Sequence, residues 1–418
     1  MKYLAFILSC LCLHAHAGAP YIEASYETTP IPAGVDSTDD VALWLSPETP
    51  ARSLIIGVSK TKTKDGNHAG LGLYDLQGQQ LVYLEHDRLN NVDLKYGFKM
   101  NDKSIDIAVA SNRDKKALSI FHVSDNSLQL LADLPLLNHS GKPIDEEPYG
   151  LCLSSPGKSG GFFASTPMKS GIIYQHELRY NNGALSLNFS HAIDTSLFLN
   201  RDQQQHLIDI TLKEVILEKE RPRDQLIEKL SKKLNHRFQL EGCVVDDEKQ
   251  ILYFGMENLG VWKLALNKHP YQAKLIAQVQ YAKSEIKKGT LAEERSVFTT
   301  DIEGLALHYG ANSKGALLVS VQGLNEYAWI DRETDRYLGS FKLTYGSTDP
   351  VTETDGLDIL STPLGKDFPS GILVVHDHHN TDTHGDLQNA NYKIISLDRV
   401  LEHFSPLQFK DFSYNPRQ

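Results

Sequence analysis

Acidic side chains recur at the starts of short apolar segments in this 418-residue chain. Six such segments can be aligned: five open with a polar or aromatic residue followed by a small or acidic one, and the sixth opens with Val92-Asp93. The side chains at or just before these openings include Asp39, Asp40, Asp93, Tyr149, Glu241, Asp301, Glu303 and Asp355. Two bare carboxylates about 4 Å apart repel by about 4 kcal/mol at an effective dielectric of about 20. If these groups meet in the fold, cations must therefore lie among them.

Basic side chains end the second apolar segment of the first three repeats, at Lys60, Arg113 and Lys169. The matching positions in the last three repeats are Glu257, Gln322 and Asp377. In an antiparallel pair of strands, the start of one strand and the end of the next reach the same rim. We therefore expect the acidic and basic sets to face each other.

This mixed set indicates metal-assisted phosphate chemistry. Oxygen ligands without convergent histidine or cysteine select hard cations, and flexible acidic loops favour Ca²⁺ over Mg²⁺. We expect several calcium ions on Asp39, Glu241, Glu257, Asp301, Glu303 and Asp349. Lys60, Arg113 and Lys169 would hold one phosphate of a polyphosphorylated substrate by charge-assisted hydrogen bonds. The ions would bind another phosphate, polarise it and supply the attacking water.

A histidine-rich segment at residues 376–384 is a separate metal candidate. Its histidines and aspartates are irregularly spaced within one loop, which favours a calcium-binding or solvated loop over a transition-metal site.

The spacing of the six openings predicts the fold. They start at Asp39, Val92, Tyr149, Glu241, Glu303 and Asp355, so they recur every 52 to 62 residues apart from one interval of 92. Up to four short strands per repeat, separated by Gly, Asn and Asp turns, are typical of an all-β, six-bladed β-propeller. The last repeat lacks a clear fourth strand, which residues 21–28 would supply.

The long interval contains an exception to the strand pattern. Residues 202–235 carry apolar side chains at a helical period, broken at Pro222, which predicts two helices in an insertion of about residues 195–237 before the fourth repeat. This hairpin would cover the propeller surface, close over a substrate, or dock a partner.

The N-terminus predicts export. Lys2, the apolar run from Leu4 to Leu13, and small residues up to Ala17 are typical of a signal peptide over residues 1–17. Residues 18–418 would then form a single propeller domain, secreted or periplasmic and monomeric. The net charge of −11 disfavours nucleic acid and anionic membranes as partners. Cys152 and Cys243 lie in apolar segments, which favours two buried free thiols over a disulfide.

The motifs taken together resemble the β-propeller phytases. The similar segments, in order, are DDVALW at 39–44, LNNVD at 89–93, ASNR at 110–113, YG at 149–150, EG at 241–242, DIEGL at 301–305, QG at 322–323 and TDGLD at 354–358. The resemblance implies a calcium-dependent phosphoric monoester hydrolase of the 3-phytase type, acting on phytate or calcium phytate.

The resemblance also implies roles for individual residues. The catalytic calcium ligands would be Asp39, Glu241, Glu257, Asp301 and Glu303, with Asp349 beside them. The phosphate binders would be Lys60, Arg113, Tyr149 and Lys169, with Asn90 and Asp93 nearby. Further metal ligands would be Asp40, Asp355 and Asp377. Two other readings stay open: a calcium-dependent lactonase-type propeller hydrolase, which has no need of the three cations, and a non-catalytic binding propeller.

Overall fold

The computed structural model describes residues 18–61, 69–155, 162–217, 222–287, 298–408 and 414–417. Within these residues the strands form six sheets, each built mainly from consecutive strands in antiparallel order. The predicted six-bladed propeller is confirmed. The predicted signal peptide, residues 1–17, lies outside the described residues.

The blades follow the chain order. Blade one contains β3 (Thr38–Trp44), β4 (Leu54–Ser59), β5 (Gly70–Tyr74) and β6 (Gln80–Glu85). Blade two contains β7 (Leu89–Met100), β8 (Lys103–Asn112), β9 (Ala117–Ser124) and β10 (Ser127–Pro135). Blade three contains β11 (Cys152–Ser154), β12 (Phe162–Pro167), β13 (Ile172–Asn181) and β14 (Ala184–Asp194).

The second half repeats this order. Blade four contains β15 (Leu240–Asp246), β16 (Ile251–Met256), β17 (Gly260–Ala265) and β18 (Ala273–Gln278). Blade five contains β19 (Ile302–Tyr309), β20 (Gly315–Val321), β21 (Glu326–Asp331) and β22 (Tyr337–Thr344). Blade six contains β23 (Leu357–Leu360), β24 (Ile372–Asp377) and β25 (Asn391–Ser396).

The hydrophobic core lies between neighbouring blades. Strands β3 and β4 are buried along their whole length, whereas every residue of the outer strand β6 is half-buried or exposed. One core cluster joins Trp329 and Phe341 of blade five to Leu373 and Ile395 of blade six. Inner strands are therefore covered on both faces, which explains their continuous apolar sequences.

The N-terminal segment closes the ring, as expected. Strand β2 (Tyr26–Glu27) pairs antiparallel with β25 and becomes the fourth strand of blade six. Strand β1 (Tyr21–Glu23) adds to the outer edge of blade five, parallel to β22. On the inner side, Asp358 Oδ2 of blade six accepts a hydrogen bond from Leu43 N of blade one at 2.8 Å.

The expectation of free thiols is wrong, because Cys152 and Cys243 form a disulfide. Strands β11 and β15 are the innermost strands of adjacent blades, so the two Cα atoms lie 5.7 Å apart despite a sequence separation of 91. The apolar pattern around each cysteine correctly indicated burial. It carried no information on which strand would be its neighbour.

The two predicted helices before blade four are confirmed as α1 (Arg201–Ile216) and α2 (Arg223–Asn235). A capping box between Asn200 and Gln203 starts α1. Two short helices follow in other loops, α3 (Lys283–Lys287) and α4 (Leu397–Leu401). Single 3₁₀ turns occupy Pro50–Arg52, Thr195–Phe198, Ala311–Ser313, Gln322–Leu324 and Ser405–Leu407. Among the described helices, none is both long and apolar enough to cross a membrane.

Candidate active site

Three buried glutamates meet where the inner strands of blades four and five begin. Glu241 lies in β15, Glu303 lies in β19, and Glu257 directly follows β16. One carboxylate oxygen of each lies within 4.8 Å of the other two. Each residue is at most 6% exposed. This is the central cluster of the site, and the sequence predicted all three of its members.

A β-bulge at the start of the first strand directs these side chains. The pairing register shifts between Leu240 and Cys243 in blade four, and between Ile302 and Leu305 in blade five. The same shift brackets Asp39-Asp40 in blade one and Asn90-Asn91 in blade two. A bulge inserts an unpaired residue and redirects its side chain. The polar doublets at the openings are therefore bulge residues.

Glycine at the second bulge position lets the next blade approach. A Cβ atom on Gly242 would lie 2.1 Å from Glu303 O, and one on Gly150 would lie 1.9 Å from Glu241 O. Gly356 N donates to Asp39 O at 2.9 Å, so the last blade contacts the first at the same level. These glycines are positions of close backbone approach that bring the acidic side chains of successive blades together.

The charges of the glutamate cluster are mutually unfavourable in the absence of a cation. Burial, reinforced by Glu241, raises the pKa of Glu257 to about 8. Burial together with Glu241 and Glu257 raises the pKa of Glu303 well above its usual range. Within the part of the chain that the structure describes, Glu303 Oε2 is buried without a hydrogen-bond partner. Glu257 and Glu303 therefore favour their protonated forms near neutral pH unless positive charge enters the cluster.

A second set of contacts joins this cluster to blade one. Lys60 Nζ lies 2.7 Å from Asp39 Oδ1 and 2.8 Å from Asp355 Oδ2. Burial acts to lower the pKa of Lys60, but Asp355 and Asp39 raise it further than burial lowers it. Asn90 Nδ2 donates to Asp39 Oδ2 at 2.7 Å and to Glu241 Oε1 at 3.3 Å. Asn90 therefore links the two sets of carboxylates.

The predicted phosphate-binding residues lie beside this link. Arg113 donates from one guanidinium nitrogen to Asn90 Oδ1 at 3.1 Å, and its Nε donates to Glu147 at 2.9 Å. Lys169 Nζ lies 3.9 Å from the ring centroid of Tyr149, a cation–π contact. Burial lowers the pKa of Lys169, and nearby Arg113 adds to this. A polyanion placed here would relieve repulsion between these cations.

Asp301 was predicted as a site residue, but the sequence reasoning missed the residues that surround it. Lys283 of α3 forms an ion pair with it, and although burial opposes the change, Lys283 and Lys233 lower the pKa of Asp301. Glu214 of α1 accepts a hydrogen bond from Thr300, and Gln239 donates to Glu257. The helical insertion thus reaches the site directly, and no sequence motif marked its contacts.

The structure places four other predicted site residues away from the glutamate cluster. Asp349 and Asp377 form ion pairs with the buried Lys393 of blade six. Burial, opposed by Lys393, raises the pKa of Asp377 to about 6. Asp40 Oδ2 accepts from Asn91 Nδ2 at 3.0 Å and from Val92 N at 3.2 Å, so it holds blade two against blade one.

Asp93 is the fourth, and its position corrects the alignment of the repeats. The bulge of blade two is Asn90-Asn91, so Asp93 lies further along the strand than the other opening residues. Its Oδ2 accepts from Leu153 N at 2.6 Å. It lines a cavity of about 710 Å³ at the far ends of the inner strands, with Tyr414 and Arg417. Asp93 therefore contacts the neighbouring blade and lines this cavity, away from the bulge residues of the other blades.

Comparison with known proteins places these features in context. A family model described as Phytase matches residues 7–190 and 222–418, so it leaves out residues 191–221, which contain α1. The chain is 32% identical over 401 residues to 3-phytase of Bacillus subtilis (strain 168), covering 95% of this chain and 89% of that protein.

Two solved structures share a more distant likeness. One is BBS1N in complex with ARL6DN, at 10% identity and a TM-score of 0.42, covering 90% of this chain and 97% of that chain. The other is a protein from Lactobacillus plantarum, at 11% identity and a TM-score of 0.43, covering 85% of this chain and 84% of that chain. Both TM-scores are below 0.5, so neither bears on function.

Proposed function

Because this chain belongs to the phytase family, we propose that it is a phosphoric monoester hydrolase that releases phosphate from myo-inositol hexakisphosphate and requires calcium. One observation carries the proposal. A cluster of three buried glutamates is joined through Asn90 to Arg113, which lies beside Lys169 and Tyr149. A site for cations and a site for anions are thereby adjacent, as a polyphosphorylated substrate requires.

The glutamate cluster fits a calcium ion. Its donors are all carboxylate oxygens, which hard cations prefer. The buried, unpartnered Glu303 Oε2 and the raised pKa of Glu257 are the marks of carboxylates that lack a counter-charge. Glu241, Glu257 and Glu303 would hold the ion, with Asp39 and Asp301 beside them. When bound, calcium would polarise the phosphate ester and activate a water molecule.

The remaining residues would bind and orient the substrate. Arg113 and Lys169 would hold a phosphate next to the one being cleaved, because charge-assisted hydrogen bonds to phosphate are strong. Tyr149 would fix the position of Lys169 through its ring. Lys60 would neutralise Asp39 and Asp355 and would orient them through its two short contacts. Asn90 would keep the phosphate-binding side aligned with the glutamates.

We also propose that the protein is exported and acts as a monomer, with phytate or calcium phytate as its partner and with neither nucleic acid nor membrane. Residues 1–17 would be removed as a signal peptide, leaving residues 18–418 as one propeller domain. The Cys152–Cys243 disulfide supports export, because disulfides persist mainly in oxidising compartments.

The test is phosphate release from phytate by metal-free protein, with and without added calcium. We expect activity only with calcium. We also expect Glu303→Gln to fold normally but to lower turnover by orders of magnitude, while Glu48→Gln, at an exposed glutamate outside the site, keeps wild-type turnover. Full hydrolysis in excess chelator would contradict calcium dependence. Lactone opening in place of phosphate release would favour the lactonase reading, and the absence of both reactions would favour a binding propeller.

A further inference from the structure

A second group of potential metal ligands lies on blade six, outside the glutamate cluster. Its members are Glu353, in the loop before β23, and His378 and His379, directly after β24. One ligand atom from each lies within 4.8 Å of the other two. Glu353 and His378 are half-buried and His379 is exposed, so an ion has access from solvent. The sequence pointed to the histidine-rich loop but did not pair it with Glu353.

Hydrogen bonds donated by three backbone N–H groups hold the two segments in place. His378 N donates to Thr352 O at 3.1 Å, and Thr352 N donates to Asp377 Oδ1 at 3.0 Å. Glu353 N donates to Asn325 Oδ1 at 2.7 Å, which fixes the loop against blade five. The three side chains therefore start from positions that the fold sets in advance.

Each imidazole also has an oxygen beside one of its ring nitrogens. His379 Nδ1 lies 3.1 Å from Thr352 Oγ1, and His378 Nδ1 lies 3.4 Å from Asp36 Oδ1. Histidines that bind metals usually place one nitrogen against such an outer partner, which orients the ring and leaves the other nitrogen for the metal. Both histidines here have such an oxygen near Nδ1.

We propose that Glu353, His378 and His379 bind a divalent transition-metal ion of the zinc type. Two imidazoles and one carboxylate form a donor set that suits zinc and related ions, whereas calcium prefers oxygen alone. The protein would then hold two metal sites of different chemistry. Asp36, the partner of His378, lies 3.6 Å from Lys60 Nζ, so the new site adjoins the anion-binding side without sharing a ligand with the three glutamates.

The experiment is a calorimetric titration of the full-length protein with zinc chloride while calcium is kept saturating. We expect one zinc ion per chain for the wild type, and an affinity at least about tenfold lower for His378→Gln and for His379→Gln. The matched control is His384→Gln, which alters an exposed histidine of the same loop and should leave the affinity unchanged. A visible absorption band from bound cobalt, lost in the same two variants, would report the ligand set independently.

Two results would overturn the site: no zinc binding by the wild type, or equal zinc affinity in His379→Gln. His379 is exposed, so this variant decides the question even if the half-buried His378 is needed for folding. Calcium-dependent phosphate release, measured on the same preparations without zinc, tests the proposed function separately. Failure of either proposal is therefore distinguishable from failure of the other.

Discussion

The substitution Glu257→Gln should change stability in opposite directions with and without calcium. The pKa of Glu257 is raised from its usual value of 4.5 to about 8, chiefly by burial and then by Glu241. A carboxyl group with a raised pKa supports the fold while it is protonated, and this support is lost as pH rises from 4.5 towards 8. One pKa unit corresponds to about 1.4 kcal/mol, so metal-free wild-type protein should be about 3 kcal/mol less stable at pH 7 than below pH 4.

Glutamine keeps the shape of the side chain and an oxygen that can accept from Gln239, but it carries no charge. Without metal, the free energy of unfolding of the variant should therefore exceed that of the wild type by up to about 3 kcal/mol at pH 7 and by less than about 1 kcal/mol at pH 5. With saturating calcium the order should reverse, because the amide is a weaker ligand and an ion that binds the folded state stabilises it. Phosphate release should fall in the same variant.

The assay is urea unfolding followed by tryptophan fluorescence, using protein depleted of metal on a chelating resin, at pH 5 and pH 7, with and without calcium. Glu48→Gln is the control, because this glutamate is exposed and should show neither the pH-dependent gain nor the reversal. If metal-free Glu257→Gln were no more stable than wild type at pH 7, or if its advantage were equally large at pH 5, repulsion among buried carboxylates would not govern this site.

Three further predictions follow from other contacts. Deleting residues 18–28 should lower the free energy of unfolding, because β2 would no longer cover the edge of β25; unchanged stability would argue against ring closure. Cys152→Ser should lower the free energy of unfolding by about 4 to 5 kcal/mol in the chain-entropy model, because the disulfide joins residues 91 positions apart. A loss below about 1 kcal/mol would contradict that model. Lys169→Met should raise the KM for phytate by about 10-fold or more, because a charge-assisted hydrogen bond to the substrate is lost. The control Lys99→Met changes an exposed lysine and should leave the KM unchanged. An unchanged KM in Lys169→Met would show that Lys169 does not bind the phosphate.

The fold could be predicted from sequence because every blade repeats the same constraint. Inner strands buried on both faces need continuous apolar residues, and hairpins such as that around Asn182-Gly183 need residues that accept positive φ. These requirements recur with the period of the blade, so a weak local signal becomes a strong one by repetition. Closure by the N-terminal segment followed from the missing fourth strand of the last repeat.

The sequence predicted those site residues that occupy equivalent positions on the inner strands of adjacent blades. Glu241 and Glu303 occupy equivalent bulge positions in adjacent blades, so finding one indicates the other. Asp93 was misplaced because a bulge shifts the register, and an apolar pattern does not reveal where the extra residue lies. Asp349 pairs instead with Lys393, whose sequence context is that of an ordinary strand residue.

Contacts from outside the repeat were beyond sequence reasoning for a physical reason. Lys283 and Glu214 come from helices whose docking on the propeller depends on tertiary packing. The strand repeat in the sequence does not indicate which face of a helix will contact Asp301. The disulfide was missed for the same reason, since partner choice is a property of the assembled ring.

Blade six combines a strand from the N-terminal segment with three strands from the end of the chain, and this has a consequence for biosynthesis. Tyr26 leaves the ribosome long before Ile394, its partner in the sheet, so the nascent chain carries an unpaired strand until almost the whole polypeptide has been made. The final blade can form only when the earliest and latest segments meet, and translation that stops before β25 leaves an open arc with two bare sheet edges. Such edges invite pairing with other chains. The ring can therefore close only after β25 has been synthesised, and prematurely terminated chains should aggregate more readily than the complete protein.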